Sequence, residues 1–88
     1  MIEVRKPTEE ELTELDVKSW PTWSSPVRTF PWEYTSQETC YFIKGHVIVE
    51  SEDGERVEIK AGDLATFPAG LKCTWKVLEP VEKHYKFG

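Results

Sequence analysis

Polar and apolar residues alternate with a period of two over several short stretches of the chain, and glycine, proline or acidic turn residues end each stretch. Arg56, Val57, Glu58, Ile59 and Lys60 place two apolar side chains on one face and three charges on the other. Residues 71–77 repeat the scheme, with Leu71, Cys73, Trp75 and Val77 on one face and Lys72, Thr74 and Lys76 on the other. This period belongs to half-buried β-strands. Residues 37–43 and 46–50 predict two further strands, divided at Lys44-Gly45. The second leads through Glu52-Asp53-Gly54, a turn of the kind that closes hairpins, into residues 56–60. Ala61-Gly62-Asp63 turns the chain again.

Between residues 20 and 32 aromatic side chains are interleaved with Pro21, Pro26 and Pro31. Each proline pushes the residue before it toward an extended conformation, so this segment predicts a strand or extended arm at a sheet edge. A helical pattern occurs over residues 7–15: Thr8 is placed as an N-cap, Glu11 follows three residues later as in a capping box, and acids fill the first turn. Glu9, Glu10, Glu11 and Glu14 then form a solvated face. Many short strands at close spacing predict an all-β barrel or sandwich, a single domain over residues 1–88 with one short N-terminal helix.

At 88 residues the chain supports one modest core, and chains of that size often gain stability from a partner, so a homodimer is expected. The strand carrying Thr39, Tyr41 and Ile43 has a partly apolar outward face that would suit one, unless the proline-rich arm covers it. Eleven basic residues against sixteen acidic ones give a net charge of −5 with no basic cluster, which argues against nucleic acid as a partner. No run approaches the roughly 18 apolar residues of a membrane span, and the first residues lack the apolar core of a signal peptide, so a cytoplasmic protein is expected. The two cysteines, Cys40 and Cys73, are too few for a disulfide framework. Alternation turns both inward and no cationic neighbour is evident in the sequence, so they are expected to be reduced and slow to react.

Gly62-Asp63-Leu64-Ala65-Thr66-Phe67-Pro68-Ala69-Gly70 resembles the second motif of the cupin superfamily, in which a glycine, five residues, a proline, one residue and a glycine precede the last metal histidine. Glu38, six residues and Gly45 resemble the back half of the first motif. Together the two motifs span most of residues 32–77, and the surroundings of Glu38 and Cys73 look most like the ureidoglycine aminohydrolase and ethanolamine-utilisation branch. The resemblance implies a small jelly-roll β-barrel. It also implies a metal site, and here the chain departs from the pattern. Trp32 and Tyr34 stand where the first two histidines belong, Cys73 where the third belongs, and Val77 replaces the terminal asparagine of the second motif. Of the four ligands only Glu38 remains, so no metal cofactor is expected. A thiolate from Cys73, joined by Cys40, would suit zinc alone.

The candidate site is therefore the barrel mouth, lined by Trp32, Tyr34, Glu38, Cys40, Cys73 and Trp75. Glu38 shares a strand face with Cys40 and Phe42, and a carboxylate there needs a hydrogen-bonding partner. It is a general base or ligand anchor on one reading, and a remnant satisfied by a tyrosine, thiol or water on the other. The cysteines are soft metal ligands or small hydrophobes. The aromatic residues line a pocket or simply fill a small core. His46 and His84 read as surface or strand-edge residues. The leading function is metal-free binding of a small molecule. The alternatives are an acid/base isomerase or lyase with Glu38 as base and Tyr34 as acid, a metal-dependent aminohydrolase, or a filled barrel acting through its surface.

Overall fold

The computed structural model describes residues Met1–Gly88. Seven strands, β1 (Glu3–Arg5), β2 (Thr22–Ser25), β3 (Arg28–Glu33), β4 (Glu38–Ser51), β5 (Arg56–Lys60), β6 (Leu64–Phe67) and β7 (Lys72–Phe87), are joined by one helix, α1 (Glu9–Leu15), and a short 3-10 turn. Every pairing is antiparallel. The fold is the all-β barrel expected from the alternation.

Two long strands organise it. β4 and β7 pair from Glu38 opposite Phe87 to Ser51 opposite Cys73, with register shifts between Phe42 and Val47. Such irregularities bend a ladder and increase its twist. The first half of β4 pairs with β6 and the second with β5, while β3 and β2 pair with successive halves of β7. β1 completes the sheet against β6. The strands predicted over residues 37–43 and 46–50 are thus one continuous strand, and Lys44-Gly45 is a bend within it. Gly45 has φ 108, and a Cβ there would lie 2.6 Å from the Val81 Cα and 2.7 Å from the Pro80 carbonyl oxygen. Only glycine lets the two strands approach so closely.

The last strand also runs further than the alternation ending at Val77 suggests. Leu78, Glu79 and Pro80 are exposed at the bend, after which Val81 and Lys83 are buried. The proline-rich arm forms two strands where one was expected. Pro31 lies in β3, which pairs with β7 alone and is thus an edge strand, where proline is tolerated. In α1 the cap is present but the box is half made. Thr8 Oγ1 accepts from the Glu11 N–H at 3.1 Å, while the Glu11 carboxylate turns away to pair with Arg5.

Cys40, Val47, Val49, Ile59, Ala65 and Phe67 are fully buried at the centre of the barrel. Burial of each large apolar side chain contributes about 1.5–3 kcal/mol. Trp75 joins this core to an aromatic layer: its ring centroid lies 5.8 Å from Trp23, 5.9 Å from Phe30 and Phe67, and 6.1 Å from Phe42. Thr39 and Tyr41, on the outer face of β4, are half-buried within the single chain, whereas Ile43 is exposed. No helix is long and apolar enough to cross a membrane.

Candidate functional site

Glu38 and Cys40, two residues apart at the start of β4, point inward together, as the strand period requires. The second half of β7 runs beside them and turns Lys83 onto the same interior. Lys83 Nζ donates to Glu38 Oε2 at 3.1 Å and to Cys40 Sγ at 3.3 Å, and the Cys40 thiol donates to the same carboxylate oxygen at 3.1 Å. The ammonium also lies 5.0 Å from the ring centroid of Trp23 and 4.6 Å from that of Trp75. The side chains of Lys83 and Glu38 keep only 7% and 5% of their surface exposed. Removing two ions from water costs several kcal/mol each, so a buried pair needs supplementary partners. Here the thiol and two aromatic faces supply them.

Above this pair opens a cavity of about 190 Å³. Its walls are Trp23, Phe30, Tyr34 and Trp75, and Tyr85, Phe87 and Trp32 extend them outward, the last two 54% and 49% exposed. Glu38 and Lys83 are its charged lining residues. Tyr34 stacks on Phe67 with centroids 4.7 Å apart and accepts from Trp75 Nε1 at 3.1 Å. Burial, reinforced by the fields of Cys40 and Glu38, pushes the Tyr34 phenol far above its ordinary range. Tyr34 is thus a reluctant proton donor to a ligand, which weakens the acid role considered for it above.

Four of the six candidate residues, Trp32, Tyr34, Glu38 and Trp75, line the cavity. Cys40 lies beneath it, fully buried, as the thiol that satisfies Glu38. Cys73 faces inward as its alternation requires but does not line the cavity; its thiol donates to the Trp32 carbonyl at 3.6 Å, and it borders a separate depression with Glu33, Glu52 and Lys72. The expectation that the cysteines lack a cationic neighbour is overturned by Lys83, which touches Cys40 directly. Sequence reasoning missed Lys83, and with it Phe30, Tyr85 and Phe87, while Trp23 is among the aromatic residues read there as pocket or core. A signal existed, because Val81, Lys83 and Tyr85 continue the phase of Cys73, Trp75 and Val77 beyond the bend.

Burial pushes both thiols up: Cys40 rises well past the ordinary thiol value of 9.0 with Lys83 only partly opposing, and Cys73 rises to about 11. Each group therefore keeps its proton in the fold at a pH where the unfolded chain loses it. Their contribution is intact below about pH 9 and is lost as the pH rises, by up to about 1.4 kcal/mol per pH unit for each group. Urea unfolding between pH 8 and 10.5 is expected to show this decline, with a shallower slope in Cys40→Ala. Stability that stays level across that range would contradict the burial of both thiols.

The donor set does not fit a divalent ion. No three His, Cys, Asp or Glu side chains converge anywhere in the chain. Glu38, the one remaining ligand position, carries an ammonium and a thiol on a single oxygen. The histidines are engaged elsewhere, His46 with Glu58 at 2.6 Å and His84 with the Trp20 carbonyl at 3.0 Å.

A search of curated proteins returned no match. Among solved structures, a DUF861-family protein of Thermotoga maritima is 51% identical over the whole of both chains, with a TM-score of 0.99. The Clostridium difficile EutQ protein is 20% identical over 98% of this chain and 66% of its own, with a TM-score of 0.70. Acireductone dioxygenase from Bacillus anthracis, which holds a cadmium ion in its active centre, is 18% identical over 98% of this chain and 47% of its own, with a TM-score of 0.53. These last two likenesses concern the fold. The family model for the EutQ-like cupin domain matches residues 12–85, nearly the whole barrel, and the chain belongs to that family.

Proposed function

We propose that this cupin binds a small planar molecule in its barrel mouth, held between aromatic rings and anchored by one polar group on the Lys83–Glu38 pair, with no metal taking part. The observation that carries the reading is the aromatic cavity of about 190 Å³ lined by a buried ion pair. Pockets for drug-sized ligands occupy roughly 300–1,000 Å³, so the occupant is on the scale of a single ring. Both contacts to Glu38 fall on Oε2, leaving Oε1 for a ligand donor. Two of the three Lys83 N–H groups are used, leaving one for a ligand acceptor. A hydroxyl or amide could meet both, while the rings contribute area and offset stacking. A metal-dependent aminohydrolase draws no support from this donor set.

Benzyl alcohol, followed by quenching of tryptophan fluorescence, tests the reading. Saturable quenching is expected, and Trp32→Ala should weaken it at least tenfold, about 1.4 kcal/mol. Because Trp32 is 49% exposed, the same variant should change folding stability by less than about 1 kcal/mol. Quenching that never saturates, or that Trp32→Ala leaves unaltered, would contradict binding at this mouth.

A further inference from the structure

Lys83 differs from the other basic residues of the chain in being buried, with 5% of the residue exposed, while lining the cavity. By comparison Lys6, paired with Asp63, has a side chain 73% exposed. A lone cation anchor for a ligand could sit at the rim in contact with water. An amine enclosed by Trp23 and Trp75 is desolvated, as carbonyl-attacking lysines are, and the carboxylate bonded to it can carry protons. We propose that Lys83 forms a reversible imine with a small aldehyde or ketone bound in the cavity, and that Glu38 carries the protons. The inference rests on the binding reading above and names the substrate class.

The step balances on residues already in place. Lys83 passes one ammonium proton to Glu38 across their 3.1 Å hydrogen bond. The transfer turns the ion pair into a neutral amine beside a neutral carboxylic acid. The amine lone pair attacks the carbonyl carbon, and the displaced π pair moves to oxygen, which takes the proton from Glu38. The nitrogen, now bearing two hydrogens, returns one to Glu38. Glu38 delivers it to the hydroxyl, the C–O bond breaks, and water leaves. An ammonium and a carbonyl have become a protonated imine and one water, with Glu38 again a carboxylate. The product keeps one positive charge at the nitrogen, so Glu38 and the rings of Trp23 and Trp75 hold the adduct as they hold the free ammonium.

The test uses benzaldehyde as probe, sodium cyanoborohydride to fix the imine, and peptide mapping of the wild-type chain, with benzyl alcohol as the unreactive counterpart. Benzyl incorporation at Lys83 should exceed that at any exposed lysine at least tenfold, and Lys83→Arg should reduce total incorporation to the level of the exposed lysines. Labelling distributed by exposure, while benzyl alcohol still gives saturable quenching, would overturn the imine and leave the binding reading standing. Failure of both probes would overturn both.

Discussion

Replacing Lys83 with methionine is expected to destabilise the fold by about 3–5 kcal/mol, far more than the loss of a surface lysine. The effect comes from the group left behind. Glu38 remains inside with its side chain 5% exposed, and the Cys40 thiol would be its one remaining hydrogen-bond partner. Breaking a buried pair by removing one ion costs this much, whereas replacing both ions by apolar groups of similar size is often neutral or stabilising. For a chain of 88 residues, typical stability is about 4–13 kcal/mol, so the single variant approaches the limit of folding. The double variant Lys83→Met with Glu38→Leu should return to within about 1 kcal/mol of the parent. Urea denaturation of the three proteins checks both statements. A loss below about 1 kcal/mol in Lys83→Met would mean that the pair is solvated after all.

Gly45→Ala is expected to cost about 4 kcal/mol and to disturb the site as well. Its φ of 108 is unfavourable for any side chain, and the added Cβ would meet the Val81 Cα at 2.6 Å and the Pro80 oxygen at 2.7 Å. Both are backbone atoms that cannot swing aside. Strain of about 1–3 kcal/mol and overpacking of about 1–3 kcal/mol therefore add. The contact lies two residues before Lys83 on β7, so a chain that still folds should bind benzyl alcohol more weakly. Gly54→Ala separates the two causes. Gly54 has a similar φ of 94 but nothing within 4 Å of its Cβ direction, so strain alone applies and a loss of about 1–3 kcal/mol is expected. Equal losses at both glycines, measured by thermal unfolding, would show that the close approach of β4 and β7 is not what Gly45 serves.

Much of the barrel is legible in the chain because alternation reports which residues face inward, and Val57, Ile59, Cys73, Trp75 and Val77 all do so to differing degrees. Thr8 and the glycine-proline motif are readable for the same reason: their effect is local. What escapes is set by contacts between distant segments. Gly45 reads as a terminator because glycine weakens a strand interior, yet its role depends on the backbone of Val81 pressing against it. Lys83 carries no local signal of burial, because a buried ammonium needs a partner and Glu38 lies 45 residues away in the chain. The three residues at the bend, Leu78, Glu79 and Pro80, also interrupt the alternation that would have carried the inward face on to Lys83. Cys73 is the converse case: the alternation places it correctly, but inward is not the same as cavity-lining, since its thiol is bonded to the Trp32 backbone.

The most direct test of the ligand site uses the chain's four indole N–H resonances, which divide cleanly. Trp23, Trp32 and Trp75 line the cavity, and Trp20, though buried, does not. In a titration with benzyl alcohol followed by proton–nitrogen correlation spectra, the three cavity indoles should shift along one saturable isotherm while the Trp20 signal stays in place. Shifts of all four in parallel, or of none, would contradict a ligand site above the Lys83–Glu38 pair.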